Sequence, residues 1–252
     1  MELGDFKECS YHLTPTPDSV MLDNSDLYDN IINYTDVQLK AIKLYTEHGH
    51  ELITLYLREG RKFTLNLYIL YLEIQKRNKY GDVLRGNFNL QKIDQFYLDL
   101  KSCFITTYDR DVIVYRGIPK LLDFKENEMF RSRIFMSTSL KLLTAYKFSL
   151  DVNQREPGNT MKIIIPKGTP VCQILDLSLN AFNDEQEILI NADSTFICTQ
   201  PTHKETHIFI TENEREPDFN PNVSYKTLEN DQVETTAIIS MIDFVVLKCD
   251  NL

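Results

Sequence analysis

No tryptophan occurs among the 252 residues, and the aromatic content rests on 13 Tyr and 14 Phe. Cysteine is sparse and unpaired in pattern. Cys9, Cys103, Cys172, Cys198 and Cys249 are odd in number, scattered, and form no C-x-x-C pair. That spacing argues against a disulfide scaffold and for a reduced, intracellular chain. Dense Lys/Arg blocks are missing too, and the formal net charge is −10. Bulk binding to a nucleic-acid backbone is therefore not expected, although a small phosphorylated ligand in a local pocket remains compatible. No apolar run approaches the length of a membrane span, and the first residues carry acids instead of a basic-then-apolar signal. No membrane partner is expected. The N-x-S/T matches at Asn33 and Asn222 read as chance.

What is present suits one large domain or one domain with an appendage. Residues 1–30, rich in Asp, Asn, Pro, Ser and Thr, read as an irregular lead-in, and 31–252 as a single domain. From a cap at Thr35 or Asp36, the residues Val37, Ala41, Ile42 and Tyr45 form a helical stripe. It breaks at His48-Gly49-His50 and resumes with Leu52, Ile53, Tyr56 and Leu57. Phe63, Leu67, Leu70, Tyr71 and Ile74 predict a second helix, and Asn89 caps a third through Ile93, Phe96, Tyr97 and Leu100. Residues 35–102 are thus a helical block.

The texture changes from residue 108 onward. Val112–Tyr115 predicts a strand running into Arg116-Gly117, and Ile134–Met136 one running into Ser137-Thr138-Ser139. A short helix carries Leu142, Leu143, Tyr146 and Phe148. Further strands are expected at 161–165, 171–175, 187–190, 195–199, 207–211 and 237–247, with loops at 153–159 and 212–236. Helices first and strands afterwards give an α+β fold.

Several motifs carry no function. Lys167-Gly168-Thr169 lacks the Gly-x4-Gly-Lys frame of a phosphate-binding loop and reads as a turn. His203 and His207 have i, i+4 spacing, but at a strand entrance they read as solvated or capping residues and not as metal ligands. His48 and His50 read as structural, and no cysteine has a nearby His to make a thiol nucleophile.

The stretch Phe182-Asn183-Asp184-Glu185-Gln186-Glu187-Ile188-Leu189-Ile190 is different. Asn183 and Asp184 form a turn, and Ile188–Ile190 is a buried strand. In an extended chain, Glu185 and Glu187 would share one face. Isolated, such a pair is a solvated loop edge. Here it follows Arg116 and Ser137-Thr138-Ser139, each placed beside its own strand.

In that order these residues resemble the Arg, Ser-Thr-Ser, Glu-x-Glu signature of mono-ADP-ribosyltransferases, in particular the clostridial actin-modifying binary toxins and related exoenzymes. Residues 36–58, Tyr115-Arg116-Gly117, Phe135-x-Ser137-Thr138-Ser139, Ile165-Pro166-Lys167-Gly168 and Glu185-Gln186-Glu187-Ile188-Leu189 all fit the family pattern, over roughly residues 35–200. The resemblance implies a helical block followed by a mixed split β-sandwich, with NAD as co-substrate and no metal.

It also implies roles. Arg116, with Gly117, would hold the NAD pyrophosphate or adjoining ribose through a bidentate guanidinium. Glu187 would bind the ribose 2′-hydroxyl and stabilise the oxocarbenium that develops as the nicotinamide bond breaks. Ser137 would orient Glu187, and Thr138 and Ser139 would support the pocket. Glu185 would align or deprotonate the acceptor, and Glu at this position favours arginine as acceptor. Phe182 would touch the protein substrate. Phe148 would pack on nicotinamide (against core packing as the plain reading), and Arg155 would be a second phosphate-binding arginine (against a solvated loop charge). The expected activity is transfer of ADP-ribose to a protein by a monomer in the cytoplasm of a host cell, as a viral product or an injected bacterial effector. The alternatives are an NAD glycohydrolase and an inactive module of the same fold that binds NAD or a protein.

Overall fold

A computed structural model describes residues 27, 32–77, 87–118, 123–149, 158–174, 186–212, 224–230 and 233–250. The chain divides into two compact units, Met1–Asn33 and Tyr34–Leu252. In the first, the described Leu27 is buried. All that follows concerns the second.

Its helical block begins at Thr35. The Gln38 amide donates to Thr35 Oγ1 while the Thr35 amide donates to Gln38 Oε1 at 2.8 Å, a reciprocal cap that fixes where α1 (Asp36–Leu44) starts. The expected break is real. Tyr45–Gly49 forms one wide π-type turn, in which His48 takes φ 102°, before α2 (His50–Arg58) resumes. Gly49 is required there, because a Cβ would lie 2.4 Å from Leu44 O and 3.0 Å from the Phe96 ring. Then come α3 (Leu65–Arg77) and α4 (Leu90–Lys101), the latter capped as expected by Asn89, whose Oδ1 accepts from the Gln91 amide at 2.8 Å. Ile42, Leu52, Ile53, Leu67, Ile93, Phe96 and Leu100 are fully buried, so most of the 3.6-residue stripes read in the sequence form one core, while Val37 and Phe63, read as part of them, are exposed.

Among the described residues nine strands follow: β1 (Val112–Ile118), β2 (Met129–Arg131), β3 (Met136–Ser139), β4 (Asn159–Ile165), β5 (Val171–Ile174), β6 (Glu187–Ile190), β7 (Thr195–Glu212), β8 (Ser224–Asn230) and β9 (Val233–Asp250). Helix α5 (Leu142–Ser149) sits between β3 and β4. The order is β2-β7-β9-β4-β1-β3-β6-β5, with β8 on β9. β4 and β9 run parallel while the other pairs are antiparallel, so the sheet is mixed. The α+β class read from the sequence is the one observed.

One junction matters most. β1 is laddered to β4 along its whole length, from Val112↔Ile165 to Ile118↔Asn159. It meets β3 through a single register pair, Tyr115↔Ser139. The sheet is therefore split at this point, with β2-β7-β9-β4-β1 on one side and β3-β6-β5 on the other.

Several boundaries differ from expectation. Arg116 and Gly117 lie inside β1, paired with Met161 and Thr160, and Ser137–Ser139 lie inside β3, not after it. The hydroxyls that made Ser-Thr-Ser look like a strand end are satisfied within the strand. Thr138 Oγ1 donates to Ile188 O at 2.6 Å, and Ser139 Oγ accepts from the Lys141 amide at 2.9 Å. The strands expected at 195–199 and 207–211 are one strand, β7. Its ladder shifts register around Gln200, next to Pro201, which has no amide to donate, and irregular pairing lets the strand pass. The polar stretch 212–236 contains β8 and the start of β9, which pair with each other as an antiparallel hairpin from Asn230↔Val233 onward and carry no apolar alternation to announce it. β2 was not expected.

Candidate active site

Four elements converge on the split. Arg116, half-buried on β1, donates from Nη1 to Ser137 O at 2.5 Å and so spans the two halves of the sheet with a side chain where the backbone ladder has stopped. On the far half, Ser139 is opposite Glu187 and Ser137 is opposite Leu189. Ser137 and Glu187 are thus diagonal neighbours on one face. Ser137 Oγ donates to Glu187 Oε1 at 2.5 Å, a short charge-assisted bond that fixes the carboxylate.

Glu187 is the first residue of β6, and what precedes it bends. Gln186 takes φ 47°, in the left-handed region that non-glycine residues rarely adopt, and its carbonyl accepts from the Leu140 amide at 3.2 Å. Gln186 is therefore not extended, and the strand ladder begins at Glu187.

Gly117 has a packing reason of its own. A Cβ there would lie 1.9 Å from Ala145 O and 2.5 Å from Ser149 N, both backbone atoms of α5. The Arg-Gly dipeptide lets α5 lie directly on β1. In the last turn of that helix, Phe148 is 60 % exposed, which does not fit the plain reading of it as a core residue. Arg155, Phe182 and Glu185 lie outside the described residues.

The helical block adds groups that the sequence pattern did not single out. Tyr45, buried at the π-type turn, has its phenol pushed up by burial and then by the negative charge of Glu187, with Arg116 opposing. Burial lowers the Arg116 guanidinium. The Tyr45 and Glu187 groups offset this, and Arg58 at the end of α2 adds to it as a like charge. Even so the guanidinium stays charged. Tyr45, Arg58, Arg116 and Glu187 therefore share one electrostatic environment. The break in the helical stripe was the available signal for Tyr45, since π-type turns collect at functional sites.

Behind Glu187, Cys172 on β5 pairs with Leu189, and its thiol is pushed well up by a hydrogen bond to Cys103 and by burial. The outer edge of β5 is covered. Tyr34 donates to Gln173 O at 2.9 Å, and Thr106 bridges Val171. The strand that backs the carboxylate is thereby held on both sides.

Among the described residues, no group of three or more His, Cys, Asp and Glu could hold a metal ion, and no helix is long and apolar enough to cross a membrane. His203 Nδ1 lies 3.0 Å from Pro201 O on β7, and Lys167-Gly168-Thr169 is a turn with Gly168 at φ 78°.

Residues 21–216 match the family model described as ADP-ribosyltransferase exoenzyme. The chain belongs to the ADP-ribosyltransferase exoenzyme family. No curated protein sequence matches it. Among solved structures, it is similar to the enzymatic component C2-I of the C2 toxin from Clostridium botulinum, with 17% identity and a TM-score of 0.48, covering 93% of this chain and 48% of that one. It thus spans about half the length of C2-I. It is also similar to the ADP-ribosyltransferase Vis of Vibrio splendidus in complex with agmatine, with 14% identity and a TM-score of 0.49, covering 94% of this chain and 86% of that one. A third is the toxin Plx2a of Paenibacillus larvae, with 16% identity and a TM-score of 0.44, covering 86% of this chain and 88% of that one.

Proposed function

We propose that this ADP-ribosyltransferase uses NAD, releases nicotinamide and transfers ADP-ribose to an arginine of a protein acceptor. The observation that carries the reading is the clamp of Glu187 by Ser137 beside Arg116, at the point where the sheet opens.

The chemistry follows from the residue types. Arg116 presents a permanent cation to the pyrophosphate or its adjoining ribose. As the nicotinamide–ribose bond breaks, its electron pair leaves with nicotinamide and positive charge builds on the ribose. Glu187, held in one orientation by Ser137, meets that charge more strongly in the transition state than in the ground state. The acceptor guanidine nitrogen then bonds to the ribose carbon and gives up its proton, for which Glu185 is the base. Phe148 covers the nicotinamide end, Arg155 assists at the phosphates and Phe182 meets the acceptor protein. In this reading the chain acts as a monomer on a protein in the cytoplasm of a host cell.

The test is incubation with biotin-labelled NAD and cell lysate, followed by mass spectrometry of the labelled proteins. Label on arginine, lost in Glu187→Gln, is the expected result. Release of nicotinamide with no labelled protein in any lysate would replace this reading with NAD hydrolysis. Label on another residue type would remove the arginine assignment.

A further inference from the structure

Helix α3 is apolar around most of its circumference. Leu67, Tyr71 and Ile74 are buried in the core, which accounts for one face. The opposite face carries exposed apolar side chains. Leu65 is 65 % exposed, Ile69 46 %, and Phe63, just before the helix, 57 %. Leu65 and Ile69 stand one turn apart and share a face. Phe63 is not a loose side chain, since its ring meets Phe88 edge-on at 5.4 Å, and Phe88 in turn meets Tyr68 at 5.5 Å. An ordered exposed apolar patch of this kind marks an interaction surface.

Its charge setting selects the partner. Among the described residues around it, Arg58, Arg61, Lys62 and Lys76 are exposed, against the exposed Glu73 and the half-buried Glu59, in a chain whose net charge is −10. Arg61 and Lys62 lie before the patch and Lys76 after it.

We infer that the α3 face around Phe63, Leu65 and Ile69 docks the protein acceptor through a segment that is apolar and acidic, as the surrounding cations require. This rests on the reading that the acceptor is a protein. It makes α3 a specificity surface and leaves the chemistry to the site.

The test compares Leu65→Glu/Ile69→Glu with the unaltered chain after matching circular dichroism and melting. Lys62→Glu/Lys76→Glu serves as a second variant that touches no apolar residue. Nicotinamide release and transfer to agmatine, a small guanidine with no docking surface, are expected to stay unchanged. Labelling of lysate proteins with biotin-NAD is expected to fall by about tenfold or more, through KM. Equal labelling by both variants overturns the docking surface and leaves the protein-acceptor reading intact. No labelling by the unaltered chain, with agmatine still modified, removes both. Sedimentation with phosphatidylserine vesicles that the variants lose, with labelling unchanged, overturns it in favour of a membrane surface.

Discussion

Ser137 and Glu187 are joined by a 2.5 Å hydrogen bond although they are not register partners; Ser139 faces Glu187, and Ser137 faces Leu189 two positions along. A diagonal clamp holds the carboxylate head while the backbone ladder holds its root. Replacing Ser137 with Ala leaves the ladder and frees the head. The expected outcome is a fall of about 10- to 100-fold in kcat for nicotinamide release, with KM for NAD changed little, because a misplaced charge is felt mainly in the transition state. A steady-state comparison decides it, and a change confined to KM would contradict the role.

Glu187→Gln keeps the shape and removes the charge. The Ser137 hydroxyl can still donate to the amide oxygen, so folding is expected to be preserved. Nicotinamide release should fall by about 1000-fold, the order seen when one preorganised charge-stabilising group is lost. An unaltered melting temperature with activity within tenfold of the parent would remove Glu187 from the reaction.

Much of this site was legible in the sequence, and the reasons are local. Thr35 with Gln38 and Asn89 with Gln91 are caps that act over two or three residues, so both helix starts could be read directly. Arg116, Ser137 and Glu187 could be grouped by their resemblance, in that order, to the Arg, Ser-Thr-Ser, Glu-x-Glu signature, with a strand-forming run beside each. Their positions within the strands could not be read, because Ser and Thr hydroxyls look like strand terminators until their partners, such as Ile188 O for Thr138, are known. The left-handed Gln186 was hidden for a similar reason, as nothing in Glu-Gln-Glu demands it and the Leu140 amide that its carbonyl accepts from comes from another strand's end. The bulged β7 depends on pairing with β9 across long sequence separations, which periodicity does not report, while the β8–β9 hairpin is local but polar.

Gly117→Ala tests whether the Arg-Gly dipeptide is a packing requirement. The added methyl would meet α5 backbone at 1.9 Å, and backbone cannot swing aside as a side chain can. Destabilisation of about 3 kcal/mol or more is expected, with α5 displaced from β1. Thermal and urea melts would show it. A variant as stable as the parent would mean that α5 moves freely on the sheet.

Alkaline pH should unfold this protein earlier than its acid content suggests. Burial pushes the Tyr108 phenol up to about 12 and raises those of Tyr34 and Tyr45 as well. In the unfolded chain these phenols ionise near about 10. Below that pH both states keep their protons and the contribution to stability is complete. As pH rises through about 10 and on to about 12, the unfolded state loses protons first, so stability falls with pH, by up to about 3 kcal/mol for Tyr108 alone. The Tyr108 hydroxyl is buried with no hydrogen-bond partner among the described residues, so Tyr108→Phe should change stability at pH 7 by less than about 1 kcal/mol. Above pH 10 the same variant should lose stability less steeply. Urea melts at pH 7 and 10.5, with phenolate absorbance followed in parallel, separate the two effects. Parallel pH dependence of parent and variant would show that Tyr108 ionises as freely in the folded state as in the unfolded one.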